Sequence, residues 1–399
     1  MLHLACLYTK ECILIEIVVV FDNSNGLDRK TASKMSNELL TKIIALLRRR
    51  GFVQLVKQDT ATPTYTYGPA GTLLRRNITQ CWWDWVMTAQ ENTFPTECTY
   101  SQDPTWDYFL EISKNLEWNL PFSIAQTRNY VHKPTDNSYQ DNNSNKFLFN
   151  SISKTSFVMQ HFCQATSVTP MMEMAIRTRL KWWKQFSGNP ANFSATDIVK
   201  TEAGHHVKIQ YSFPWGLDEV ETVTSLGNKP LQPFRKTLLS EHQFFNGKKR
   251  NLPSVIQCNA VLEQGFLALL LDACSSNPGS SKNSLNEPMC LQLNLRLTPY
   301  KIAVCYQGNE TNILHQLAAN VAKNLRNTGI ITLNQGAGSS LDIKFSQNDE
   351  MGIPYTAVLS DTVLKDGVVE VRSRHTTIKE QVHISQLAEF VQKRVAGSS

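Results

Sequence analysis

The residues able to do chemistry fall into four groups. A short β-branched run, Val255, Ile256 and Cys258, passes at Leu262 into a segment whose apolar residues recur three or four apart, and the polar pair Glu263-Gln264 stands at that change. A strand feeding a helix in this way is a place where α/β proteins hold a phosphate on helix N–H groups. Such a site wants a fixed cation, and Gln264 offers an amide. The same pattern fits an ordinary core strand and helix. The second group is Arg177, Lys181 and Lys184, three or four apart on one predicted helix face beside Trp182 and Trp183, where closely spaced cations suit backbone phosphates or a solvated face. A further basic cluster, Lys248, Lys249 and Arg250, lies just before the strand and helix. The histidines and cysteines form the last group. Adjacent His205 and His206 would point to opposite sides of a strand, there is no His-Glu-x-x-His, and the nine scattered cysteines include no Cys-x-x-Cys. That pattern implies reduced structural thiols, with no metal and no cofactor expected.

The 399 residues suffice for two or three domains. A balance of 40 Lys plus Arg against 34 Asp plus Glu permits weak attraction to nucleic acid without demanding it. No apolar run approaches the roughly 20 residues of a membrane helix. Residues 1–34 are unlike the rest of the chain, and the reading is an extension, disordered or targeting, although it lacks the Arg-rich character of a mitochondrial presequence.

Several elements must position these groups. A helix is predicted over 34–50, its Arg48-Arg49-Arg50 end offsetting the helix dipole in solvent. Gly68-Pro69 marks a turn before a helical stripe of Leu73, Leu74, Ile78, Trp82, Trp85 and Val86. Residues 120–133 and 155–168 suit two paired strands around an Asn- and Ser-rich loop, 135–150. A cation-rich helix is predicted over 171–186. The stretch 275–288 reads as a linker. Beyond it the chain alternates: strands at 301–306, 329–333, 356–359 and 367–374, helices at 312–327 and 385–395, and a glycine loop at 334–340 that lacks the lysine of a phosphate loop. The expected class is α/β or α+β, with a first domain over 35–290 and a mixed-sheet domain over 291–399.

Tyr67-Gly68-Pro69 with its following helix, Leu120 to Gln126, Val255 to Cys274, and Gly367 to Ile384 stand in the order found in glycyl-type class II aminoacyl-tRNA synthetases, and the chain resembles that family over most of residues 35–395. The resemblance implies an antiparallel synthetase-like sheet followed by an anticodon-binding-like domain. It also implies lost catalysis. Val131 replaces the arginine that would grip the ATP α-phosphate, Gln160-His161-Phe162 replaces an Arg-Glu-Phe, and Val261 and Gln264 replace a glycine and an arginine. Each missing group that would meet charge on phosphorus costs about 3 kcal/mol of barrier. With Arg177 to Asp197, Tyr211 to Gly216 and Arg372 to Ser385, the chain is similar to the accessory subunits of mitochondrial replicative DNA polymerases, synthetase homologues without catalysis. That likeness implies a mitochondrial protein that binds the polymerase catalytic subunit through its C-terminal domain, with Arg372, Arg374 and Lys379 as candidate partner contacts. It also implies primer-template DNA as a ligand, with Arg177, Lys181, Lys184, Lys248, Lys249 and Arg250 as candidate contacts. An active glycyl-tRNA synthetase or a tRNA-binding module is the alternative. Between Phe94-Pro95 and Leu120 there are too few residues for the helical insertion that vertebrate-type forms use as a homodimer contact, which implies a monomer that pairs one to one with the polymerase.

Overall fold

The computed structural model describes residues 40–56, 64–97, 105–115, 120–131, 153–202, 204–236, 238, 245–246, 249–250, 252–276, 289–308, 311–336 and 338–396. The expected N-terminal extension and the 135–150 loop lie outside them, as do Lys248 and most of the 275–288 linker.

The chain begins with helix α1 over 40–49, then strands β1 (Val53–Val56) and β2 (Thr64–Tyr67), which pair antiparallel. Helix α2 (Pro69–Ala89) starts at the Gly68-Pro69 turn, Pro69 bringing a preset φ where its missing N–H costs nothing. Its stripe is buried as the spacing predicts: Leu74, Ile78, Trp82 and Val86 face the core, while Leu73 and Trp85 are half-buried. Strand β3 (Thr93–Glu97), helix α3 (Thr105–Asn115) and strand β4 (Phe122–Val131) come after it. β4 pairs with β5 (Ser153–Cys163) over ten residues, from Phe122↔Phe162 to Val131↔Ser153, as the sequence suggested. β5 stops at Cys163, short of the expected 168, because a 3₁₀ turn at Ala165–Ser167 and helix α4 (Val168–Lys184) take over.

Strands β6 (Phe193–Ala195), β7 (Val199–Thr201), β8 (Gly204–Phe213) and β9 (Gly216–Gly227) come next, then the two-residue strands β10 (Phe245–Asn246) and β11 (Lys249–Arg250). β12 (Ser254–Val261) runs directly into α5 (Leu262–Asp272). The eight-stranded sheet has the order β3-β4-β5-β12-β9-β8-β6, with β7 beside β8; all its pairs are antiparallel except β3 with β4. One face packs on α2, α4 and α5 in the main core; near the β4 start a smaller aromatic core of Phe109, Phe122 and Phe162 joins α3 to the other face. Strands β13 (Cys274–Ser276) and β14 (Met289–Leu291) pair across the linker stretch, and Leu291, Leu293 and Leu297 still pack in the main core.

The second sheet holds β15 (Ile302–Tyr306), β16 (Thr332–Asn334), β17 (Tyr355–Leu359), β18 (Val368–Ser373) and β19 (Lys379–His383), in the order β16-β15-β17-β18-β19. β15 is parallel to β16 and β17, and the last two strands are antiparallel, a mixed sheet. Helices α6 (Thr311–Asn327) and α9 (Leu387–Ala396) pack in its core; α7 (Leu341–Glu350) and the short α8 (Val363–Asp366) complete the set among the described residues. Three of these elements, α7, α8 and β19, went unread in the sequence. α7 buries Lys344, Asn348 and Glu350, polar residues that leave no apolar stripe, and β19 buries Val382 as its one hydrophobic residue.

The two sheets are locked by side chains. Arg49 and Arg50 reach Glu350 at 3.0 and 2.5 Å, and Asn77 Nδ2 donates to the Leu297 and Thr298 carbonyls. This corrects the expectation that the Arg48-Arg49-Arg50 cluster only faces solvent: two of its three guanidiniums pin helix α7 beside the second sheet. Lys301, half-buried, donates to the carbonyls of Leu295, Arg296 and Thr298 in the connecting turn, and burial lowers its pKa to about 8.

Candidate functional site

The corner between β12 and α5 is closed by its own side chains. Val261 is the last strand residue and sits at the helix N-cap with no side-chain cap, and Glu263 in the first turn is 3% exposed. Instead of facing a ligand, the Glu263 carboxylate turns inward and accepts from the Thr155 backbone N–H at 3.0 Å and the Tyr67 hydroxyl at 3.3 Å. Burial raises the Glu263 carboxyl, opposed by the Thr155 N–H and by Arg75; burial together with Glu263 raises the Tyr67 phenol, which stays protonated. Gln264 is half-buried and brings no charge. Gly265 is required here: a Cβ at this position would lie 2.1 Å from the Trp183 ring.

Two arginines do approach this face of the sheet, and both contact the protein's own groups. Arg75 donates through Nη2 to Thr155 Oγ1 at 2.7 Å and lies 5.5 Å from the Tyr67 ring centre. Thr155 Oγ1 in turn donates to Asn129 Oδ1 at 2.7 Å. Arg128 donates to Thr105 Oγ1 at 3.0 Å. Val131 ends β4 opposite Ser153. Gln160, 1% exposed, donates to Gln257 Oε1 at 2.8 Å, and its own carbonyl oxygen has no partner. His161 faces Ser123 Oγ at 2.7 Å; burial, with Arg179 nearby, pushes its pKa down to about 4, which keeps the ring neutral. Amides and hydroxyls therefore line the floor, where phosphate activation would need cations free to meet developing charge. His132 and Lys133 lie outside the described residues.

On α4 the 3.6-residue period sorts the cation-rich helix into two sides. Met172, Ala175, Arg179, Trp182 and Trp183 are buried, whereas Arg177 and Lys181 are exposed and Lys184 is half-buried. The tryptophans expected beside the surface cations are core residues instead. Arg179, which the sequence reading passed over, is 2% exposed and pairs bidentately with Glu221 at 2.6 and 3.0 Å, while Trp183 Nε1 donates to Glu221 at 2.6 Å. The guanidinium lies between Trp85 and Trp182 at 4.6 and 4.8 Å. Its spacing from Met172, Ala175 and Trp182 puts Arg179 on the apolar side and Arg177 off it; what spacing could not supply was the partner, Glu221 on β9, visible only once the strand was placed. Lys249 and Arg250 form the strand β11 against β10.

The C-terminal candidates also divide. Arg374 is 2% exposed and donates to the Gly352 and Leu293 carbonyls, so it ties the β18 end to the first core and presents no surface for a partner. Arg372 forms a bidentate pair with Asp349 at 2.9 Å, over the Phe345 ring. Of the three, Lys379 alone is well exposed, at the edge strand, paired with Glu370. His205 is exposed and His206 turns to Thr224 Oγ1, the opposed directions their adjacency predicts. Among the described residues no group of three His, Cys, Asp or Glu could hold a metal ion, and no helix is long and apolar enough to cross a membrane.

Residues 301–394 match the anticodon binding domain family. Over 420 residues the chain is 26% identical to DNA polymerase subunit gamma-2 of Mus musculus, covering 90% of each protein. It is 24% identical to DNA polymerase subunit gamma-2, mitochondrial, of Xenopus laevis, over 84% of this chain and 82% of that one. Glycine–tRNA ligase of Thermobifida fusca is 24% identical over 72% of this chain and 63% of the ligase.

Proposed function

We propose that this chain is the non-catalytic accessory subunit of mitochondrial DNA polymerase gamma, a synthetase scaffold that works through its surfaces. The observation that carries this reading is the corner itself: Glu263, Arg75 and Arg128 all bond to protein groups, and the positions that would face ATP hold Val131, Gln160, Val261 and Gln264. The 26% identity to the Mus musculus gamma-2 subunit over 90% of both chains, against 22% to a glycine–tRNA ligase matched over a comparable length, favours the polymerase reading over the synthetase one.

The mechanism is physical. A second protein surface held beside the polymerase lowers the rate at which the complex leaves primer-template DNA, so more nucleotides are added per encounter. The C-terminal mixed-sheet domain is the polymerase-facing part, with Lys379 as its accessible candidate contact; the domain division at 290/291 is part of this proposal. Arg177, Lys181 and Lys184 on α4 supply DNA contacts that weaken with salt. Between β3 and β4 the described residues hold the single eleven-residue helix α3, in keeping with a chain that is monomeric alone and pairs one to one. Mitochondrial localisation belongs to the same proposal, supported by the name of the Xenopus relative. The test is co-purification with the polymerase catalytic subunit and a primer-extension assay under single-encounter conditions. Longer products on addition of the chain are expected; unchanged product length with no stable complex would overturn the reading.

A further inference from the structure

At the end of the large sheet where β8 begins lies a second set of cations, separate from α4. Residues Lys229–Phe234 form a 3₁₀ run, and Arg235 continues it as the C-cap in helical conformation. A 3₁₀ turn holds 3.0 residues and rises about 6 Å, so side chains three apart eclipse one another. Lys229, Gln232 and Arg235 are three apart and all exposed, which stacks two cations and an amide along one edge, with Lys236 exposed beside them. The edge is fastened to the β7–β8 hairpin, because Lys229 Nζ donates to the Glu202 carbonyl. On that hairpin Lys200 stands directly opposite His205, both exposed.

Although Lys229 Nζ holds a backbone carbonyl, none of these four cations is neutralised by an acid among the described residues, as is also true of Arg177 and Lys181 on α4. Lys208 pairs with Glu219, and in the C-terminal domain Lys379, Lys393, Arg394 and Arg372 each hold a carboxylate. Among the described residues no carboxylate lies within ion-pair distance of Lys200, Lys229, Arg235 or Lys236. The hairpin's own acids, Asp197 and Glu202, are fewer than the cations and make no ion pair with them. Two unneutralised cations aligned along this edge about 12 Å apart, with an amide between them, suit a ligand whose negative charges are also repeated and regular.

We propose that this edge, Lys229, Gln232 and Arg235 with Lys200 and Lys236, is a binding site for the phosphate backbone of duplex nucleic acid, independent of the α4 cations. The contact reads charge and carries no sequence preference. A phosphate contact releases counterions, so each contributes roughly 0.9 to the slope of log affinity against log salt on duplex DNA.

The experiment uses the full chain alone with fluorescent mixed-sequence duplexes, read by anisotropy from low to moderate KCl. K229Q/R235Q is expected to lower the salt slope by about 1–2 and to weaken binding several-fold at low salt, equally for two unrelated sequences. K181Q/K184Q serves as the comparison, and the two pairs together should be additive. Lys181, Lys229 and Arg235 are exposed and Lys184 is half-buried, so the thermal midpoint should move little. Unchanged affinity and slope in K229Q/R235Q would leave the edge an ordinary solvated face. Unchanged duplex binding with lost polymerase co-purification would make it a protein-docking surface, and either result overturns the proposal. Because duplex binding is measured without polymerase, failure of the accessory-subunit reading would show separately.

Discussion

Replacing Arg179 with methionine tests whether the buried cation of α4 belongs to the scaffold or to the nucleic-acid surface. In the folded chain Arg179 and Glu221 are 2% and 1% exposed, joined by two hydrogen bonds of 2.6 and 3.0 Å. Methionine keeps much of the apolar stem between Trp85 and Trp182 but leaves the Glu221 carboxylate with the Trp183 N–H as its remaining partner among these groups. Breaking a buried pair in this way costs about 3–5 kcal/mol, because an uncompensated charge is stranded away from water. Set against a typical total of about 5–15 kcal/mol, that is a third or more of the margin. R179M/E221L removes both charges and should recover most of the loss, less about 1 kcal/mol for the indole N–H left unpaired. Urea unfolding followed by tryptophan fluorescence reads both variants, and duplex affinity measured where R179M is still folded should equal that of the parent. A single variant within about 1 kcal/mol of the parent, or a double variant no better than R179M, would refute the account of this pair. Weaker duplex binding by folded R179M would return Arg179 to the surface chemistry.

Four other outcomes are expected from the geometry. With glycine, ATP and pyrophosphate the chain should show no exchange, and Q264R alone should not create it, since Glu263 stays committed to Thr155 and Tyr67; measurable exchange would reinstate the synthetase reading. Gly265→Ala should destabilise by about 1–3 kcal/mol or more, because the added methyl meets the Trp183 ring at 2.1 Å, and a thermal melt checks it. Glu350→Gln should lower stability by about 1–2 kcal/mol and speed proteolysis between the two sheets, the share of Arg49, 59% exposed, being small. His161 is neutral when folded, with its pKa lowered from 6.5 to about 4, so the unfolded chain takes up the proton first as pH falls. Its contribution is whole above pH 6.5 and is lost down to about pH 4, up to roughly 3 kcal/mol; H161N should flatten that limb of the stability–pH curve.

What the sequence disclosed and what it concealed divide along one physical line. The period of apolar residues placed β4 against β5, α2 behind the Gly68-Pro69 turn, and β12 running into α5, because burial of hydrophobic surface is a local pattern that repeats. The resemblance to glycyl-type synthetases, and not the period, pointed to the positions where such an enzyme would need charge, and this sequence has Val131, Gln160, Val261 and Gln264 there. The partners of buried charges were not legible, since each pair joins residues far apart in the chain: Arg179 with Glu221, Arg50 with Glu350, Arg374 with the Leu293 carbonyl. Spacing on one helix can put an arginine on the apolar side, but it cannot say which carboxylate meets it there. Which side a cation faces also governs the function. Arg75 and Arg128 are half-buried and bonded to threonine hydroxyls, and Arg179 and Arg374 are buried on protein groups, whereas Lys181 on α4 and Lys229 with Arg235 on the 3₁₀ edge are exposed and make no ion pair among the described residues. A scaffold that has turned its arginines inward retains charge for binding only at such outward positions, and a polyanion long enough to span several of them is the ligand whose affinity they can raise.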